Sequence, residues 1–158
     1  MTQDYQVRPA SAADAGVIAG HRRAMFADMG ERDDAKLDAM AAESIPWLER
    51  KIRSGAYIGW LAIAADGSVA AGAGLWLTEG PPTVGDLSGQ RGMILNVYTA
   101  PAHRRRGLAR RLVETILGRC SKRGITVVIL HASDVERPLY EALGFRQTNE
   151  MRLTLDAQ

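Results

Sequence analysis

Pro101-Ala102-His103-Arg104-Arg105-Arg106-Gly107-Leu108-Ala109 is the stretch on which the reading of this 158-residue chain turns. Three arginines run into a glycine, and the glycine opens an apolar series: Leu108, Leu112, Val113, Ile116, Leu117 and Cys120. Their spacing predicts one buried face of a helix, closed by Gly124 as its C-cap. The first N–H groups of a helix have no intrahelical partner, and the helix dipole adds about half a positive charge there. Such a terminus receives phosphate oxygens. Gly107 omits a side chain that would block approach, and Ala109 keeps the next turn close. Arg104, Arg105, Arg106 and Arg110 supply flanking positive charge. The common phosphate loops do not match. Gly-Lys-Ser/Thr is absent, and Gly72-Ala73-Gly74-Leu75-Trp76-Leu77 has leucine where the dinucleotide fingerprint has its last glycine. Those small residues lie within a strand pattern and are read as close packing.

On either side of this corner the pattern is strand-like. Residues 93–99 read as a buried strand, and 125–130 are continuously apolar or β-branched, as in a central strand covered on both faces. Strand, helix and strand together make a crossover unit. Upstream, 57–64 and 68–77 are β-rich runs joined by Ala65-Asp66-Gly67, a hairpin signal. Between 79 and 92 Gly, Pro and polar residues predict a long loop, a feature often functional. Val7-Arg8-Pro9 reads as a short strand. Ser11-Ala12-Ala13-Asp14 resembles a capping box opening a helix that buries Val17, Ile18, His21 and Met25. A second helix runs from about Asp34 to Gly55, with Pro46 predicting a kink or a division into two. A short helix from about Val135 ends at Gly144, and 145–155 should form the last strand.

Composition places the chain among ordinary globular proteins, with 46% hydrophobic and 24% charged residues. That excludes a disordered or collagen-like chain, and the lone Cys120 excludes an internal disulfide. Cys120 itself reads as a buried thiol. Three scattered histidines argue against a metal site: His21 faces the core, His103 sits beside the arginines, and His131 ends a strand. No apolar run is long enough for a membrane span, and Met1-Thr2-Gln3-Asp4 does not begin a signal peptide, so a cytoplasmic protein is expected. The net charge is only +2, but residues 101–123 carry +7 and residues 28–49 carry −5. An anionic ligand is expected at the first stretch, and the acids 28–38 hint at a cationic one at the second.

Arg104-Arg105-Arg106-Gly107-Leu108-Ala109 resembles the Arg/Gln-x-x-Gly-x-Gly/Ala signature of the GCN5-related N-acetyltransferase (GNAT) superfamily. Leu139-Tyr140-Glu141-Ala142-Leu143-Gly144-Phe145 is similar to its Leu-Tyr-Glu-x-Leu-Gly-Phe element. The resemblance implies an α/β fold (α+β by some schemes) with one N-acetyltransferase domain over 1–158. Its central mixed, mostly antiparallel sheet would be splayed at a bulge and flanked by about four helices. It implies acetyl-CoA as acyl donor. Val97, Tyr98 and Thr99 would hold the pantetheine arm, the Val97 N–H would polarise the thioester, and residues 105–110 would receive the diphosphate. Tyr140 would face the sulfur, and Ser133 and Arg137 would lie toward the adenosine. Many relatives carry a carboxylate base on the strand of the bulge, but Met93-Ile94-Leu95-Asn96-Val97 has none. Glu79 and His131 are candidate bases. Met25, Phe26, Trp47, Trp76 and Glu79 are candidate walls for the acceptor amine. Two other readings are weighed: a non-catalytic acyl-CoA-binding protein, and a nucleic-acid-binding module using residues 104–111. The second lacks interleaved aromatics. A homodimer fits the superfamily, although no residue pattern here calls for one.

Overall fold

The computed structural model describes residues 4–156; Met1–Gln3, where a leader would begin, and the last two residues lie outside them. Its frame is a five-stranded sheet in the order β1-β2-β3-β4-β5. The strands are β1 (Gln6–Pro9), β2 (Tyr57–Ile63), β3 (Val69–Glu79), β4 (Gln90–Thr99) and β5 (Val127–Ile129). The first four pair antiparallel, and β4 pairs with β5 in parallel. Helices α1 (Ala15–Asp28), α2 (Asp34–Ser54), α3 (Leu108–Lys122) and α4 (Arg137–Ala142) complete the architecture. The mixed, mostly antiparallel sheet and its four helices match the expected fold. No helix among the described residues is long and apolar enough to cross a membrane.

The 3.6-residue periodicity of α3 is realised, with Leu108, Leu112, Val113, Ile116 and Cys120 buried and Leu117 partly buried against them. They join Trp60, Ala71, Leu75, Ile94 and Tyr140 in the larger of two apolar clusters. The smaller one lies under α1 and α2 and includes Ile18, Leu48 and Tyr57. The β2–β3 turn is fixed by Gly67 at φ +86° and by the Asp66 carboxylate, which accepts from the Ser68 N–H at 2.9 Å. At the start of α1 the Ser11 N–H donates to Asp14 Oδ2 at 2.7 Å, one half of the expected capping box. Asp33 caps α2 by accepting from the Lys36 N–H at 3.2 Å. Its replacement by alanine is expected to cost about 1 kcal/mol. Thermal unfolding should register this as a midpoint about 2–4 °C lower.

Five expectations need correction. Pro46 lies within one continuous 21-residue helix, which overturns the division of α2 into two and leaves only the kinked alternative. Val17 is exposed, and Ala15, Ile18 and Ala19 form the buried stripe instead. The 79–92 loop is shorter than expected because β3 and β4 continue to Glu79 and Gln90. Residues 80–89 close on themselves through a Thr83–Asp86 bridge. The run 125–130 yields only the three paired residues of β5, at the sheet edge, with Ile129 45% exposed. Finally, 145–155 contains no strand: Met151, Leu153 and Leu155 alternate as a strand would but are exposed. Alternation supplies a face, and pairing also needs a neighbour that accepts it.

Candidate active site

The site begins with a defect in the β3–β4 ladder. Gly72 stands opposite Tyr98 and Gly74 opposite Leu95, so Ala73 alone faces the two residues Asn96 and Val97. This is a β-bulge, with Asn96 at φ +57°. Asparagine is among the few non-glycine residues that enter this region routinely. Its side chain is buried and bonded at both ends: Asn96 Nδ2 donates to Tyr57 Oη at 3.0 Å, and Asn96 Oδ1 accepts from Arg22 Nη1 at 3.0 Å. Burial pushes the Tyr57 phenol up to about 12, so it stays protonated and holds this chain together.

Pairing of β4 with β5 covers only Arg91–Val127, Gly92–Val128 and Met93–Ile129. Beyond Met93 the strands part, and the bulge lies in the opening. A cleft of about 840 Å³ runs from there between α1 and the 133–136 segment, lined by Val97, Tyr98, Thr99, Ala109, Ser133 and Glu136 among others. It continues at the bulge into a space of about 480 Å³ that Arg22, Phe26, Val97, Ser133 and Tyr140 border. At its other end a smaller hollow of about 170 Å³ faces Arg105, Gly107, Leu108 and Arg110. The structure therefore aligns Val97, Tyr98, Thr99, Arg104, Arg105, Gly107, Arg110 and Ser133 along one path, and Arg106 lies off it. Arg137 instead donates to Asp134 at 3.2 Å and borders a separate hollow.

The corner itself alternates backbone conformations: Arg104 is extended, Arg105 has φ +61°, and Gly107 has φ +75° as the N-cap of α3. A Cβ on Gly107 would meet no protein atom within 4 Å. Glycine is thus required there by backbone conformation and not by packing, and the space beside it is open. The arginines are less uniform than their run implies. Arg104 donates to Asp28 Oδ2 at 2.8 Å and to the Thr99 carbonyl at 3.0 Å, clasping α1 across the cleft. Arg106 donates to Tyr5 Oη at 2.9 Å, Arg111 to the Tyr5 carbonyl at 3.0 Å, and Arg110 to Glu114 at 3.1 Å. Among the described residues Arg105 has no such partner, leaving its charge available at the corner.

Tyr140 is 4% exposed, packed edge-on against Phe145 at 5.8 Å, and its hydroxyl has no hydrogen-bond partner among the described residues. Desolvation first, and then the charge of Glu136, raises its phenol well above the ordinary value. The hydroxyl is therefore a neutral donor at any ordinary pH, and Tyr140 lines a space that Val97 also borders.

This geometry has relatives. The family model described as Acetyltransferase (GNAT) family matches residues 22–145. The chain belongs to the GNAT acetyltransferase family. A GCN5-related N-acetyltransferase from Ralstonia eutropha JMP134 is 35% identical, with a TM-score of 0.89 over 96% of this chain and 99% of that one. A predicted acetyltransferase from Clostridium acetobutylicum, solved with acetyl-CoA, is 25% identical, with a TM-score of 0.86 over 97% of this chain and 96% of that one. At 21% identity the glucosamine-6-phosphate N-acetyltransferase of Arabidopsis thaliana shares the fold, with a TM-score of 0.68 over 98% of this chain and 100% of that one. No curated protein matches the sequence. The general chemistry of GNAT acetyltransferases is acetyl-CoA-dependent N-acetylation.

On the other side of β4 lies a cavity of about 430 Å³, lined by Arg22, Met40, Glu43, Trp47, Trp76 and Asn96 among others. Trp47 and Trp76 pack edge-to-face at 5.5 Å. Of the expected acceptor walls, Trp47 and Trp76 line this cavity, while Met25 and Phe26 border the space at the bulge. Glu79 does not reach either: it ends β3, exposed, opposite Gln90. No residue of 80–89 lines them. His131 pairs with Glu150 at the protein surface and also borders the space at the bulge, while His103 Nδ1 bonds Tyr5 Oη at 2.9 Å and His21 lies against the Tyr98 ring. Burial raises the Cys120 thiol, consistent with an inert core residue. Among the described residues no group of three or more His, Cys, Asp or Glu is placed to hold a metal.

Sequence reasoning missed Arg22, Tyr57 and Asn96. Asn96 offered a signal: a lone asparagine inside an apolar strand is poorly suited to a regular ladder and well suited to a bulge.

Proposed function

We propose that this protein transfers the acetyl group of acetyl-CoA to a primary amine by direct attack in a ternary complex. One observation carries this reading: where β4 parts from β5, the bulge at Val97 and the unpartnered Tyr140 hydroxyl border one space, between a cleft leading to Gly107 and a cavity on the far side of the strand. The diphosphate is held by N–H groups of residues 105–110 with the free charge of Arg105. The pantetheine arm follows Val97, Tyr98 and Thr99, and Ser133 flanks the nucleotide side. Attack of the neutral amine on the thioester carbon puts negative charge on the carbonyl oxygen, which accepts a hydrogen bond from the Val97 N–H. One such donor contributes about 3–4 kcal/mol.

As the carbon–sulfur bond breaks, the electron pair leaves with sulfur, and the Tyr140 hydroxyl donates a hydrogen bond to it. A thiol has a pKa of about 8–9, below that of this raised phenol, so complete transfer from Tyr140 is uphill. Tyr140 stabilises the departing sulfur, and the proton lost by the amine balances the thiol product. Tyr140→Phe should lower kcat by about 100-fold while acetyl-CoA affinity stays within about threefold. The kcat of the unaltered protein should show no decline between pH 7 and about pH 10, because the hydroxyl remains protonated throughout. Steady-state kinetics and calorimetry test both. Equal kcat in the two proteins overturns the role of Tyr140. Coenzyme binding without transfer to any amine would establish the non-catalytic reading instead. The pairing of Arg104, Arg106, Arg110 and Arg111 with protein groups argues against the nucleic-acid reading, which needs those charges free.

A further inference from the structure

Resting on the acetyl-transfer reading, we infer that the acceptor is a small amine bearing a carboxylate and a large apolar side group, an apolar α-amino acid in chemical class, with Arg22 as its carboxylate receptor. Arg22 borders both the space at the bulge and the cavity beyond β4, so it stands where acceptor and thioester meet. It is half-buried and has no ion pair among the described residues. Its contacts there are one hydrogen bond to Asn96 Oδ1 and the face of Phe26 at 5.1 Å. A guanidinium has five N–H donors in a planar fork suited to a carboxylate. Burial lowers its pKa, as expected of a charge taken from water without a counter-ion. An anionic group of the acceptor supplies that counter-ion.

The remaining walls specify the rest of the molecule. Trp47, Trp76, Met40, Met93, Leu48 and Leu95 give the cavity an apolar interior, and about 430 Å³ falls within the size range of small-molecule sites. The carboxylate lining it, Glu43, is exposed on α2 and forms no ion pair with Arg22. It meets the ammonium end of a zwitterion at entry. The acids that hinted at a cationic acceptor are otherwise engaged: Asp28 pairs with Arg104, Asp34 and Asp38 pair with Arg23, and Asp33 caps α2. The nearby positive charge of Arg22 also disfavours the ammonium form of the reacting amine, which assists attack on a strand lacking a carboxylate base.

The test compares phenylalanine, leucine and tryptophan with their carboxamides, and with spermidine and glucosamine 6-phosphate, as acetyl acceptors at saturating acetyl-CoA. The free acids are expected to exceed their amides in kcat/KM by about 10- to 100-fold, the range for a lost charge-assisted hydrogen bond. Arg22→Gln should bring that ratio near one while acetyl-CoA affinity measured by calorimetry is kept. The acid-to-amide ratio of the unaltered protein decides the matter even if that variant fails to fold. Equal rates for acid and amide, or preference for spermidine or glucosamine 6-phosphate, overturn this assignment and leave acetyl transfer standing. No transfer to any amine overturns the acetyltransferase reading beneath it.

Discussion

Gly107→Glu is expected to weaken acetyl-CoA binding by at least about 100-fold while the protein still folds. The two effects separate because the glycine is free of packing. A Cβ at this position meets no protein atom, so the substitution creates no clash in the folded chain. Its structural cost is conformational: φ is +75°, and a non-glycine residue there costs about 1–2 kcal/mol. The functional cost is larger. The added side chain fills the space before the unpaired N–H groups of α3, and its carboxylate lies against a diphosphate. Two like charges about 4 Å apart near a protein surface repel by about 4 kcal/mol, which makes 100-fold a conservative figure. Gly107→Asn is the control, since asparagine tolerates positive φ and adds no charge; it should bind more tightly than the glutamate variant. Calorimetric titration reads affinity and thermal unfolding reads the fold. Unchanged affinity in Gly107→Glu would remove the diphosphate from this corner.

Why this corner was legible, and the acceptor side was not, has a physical explanation. The corner is local. A glycine, its arginines and the apolar stripe of α3 fall within one short segment, and helix geometry alone dictates where their N–H groups point. The hairpin at Asp66-Gly67 was readable for the same reason. The proposed acceptor side is assembled from distant segments: Arg22 on α1 meets Asn96 on β4, which meets Tyr57 on β2. Each of these reads alone as an ordinary surface, strand or core residue. The acidic stretch shows that charge in a sequence does not disclose its partner: in the fold Arg23 pairs with Asp34 and Asp38, and Arg104 with Asp28. The tail failed for a related reason. Met151, Leu153 and Leu155 have the period of a strand, and β5 is too short to pair with them.

Gly74→Ala should destabilise the protein by about 3 kcal/mol or more, a fall of about 6–12 °C in the unfolding midpoint. One methyl group has this effect because of where it would sit. A Cβ on Gly74 lies 1.8 Å from Tyr57 Oη and 2.2 Å from Tyr57 Cζ, inside any allowed contact. Tyr57 is 1% exposed, packed edge-on against Trp47 at 6.1 Å, and cannot yield without moving the α2 side of the core. Its displacement also breaks the bond from Asn96 Nδ2, leaving buried polar groups unpaired at the bulge. The loss should therefore reach the site: Asn96 would no longer be held, and Val97 would lose the geometry proposed to meet the thioester. Tyr57→Leu removes the obstructing ring, so the double variant Gly74→Ala/Tyr57→Leu should be more stable than the sum of the two single losses predicts. A Gly74→Ala protein melting within about 2 °C of the parent, with strictly additive behaviour in the double variant, would show that the bulge does not depend on this close approach.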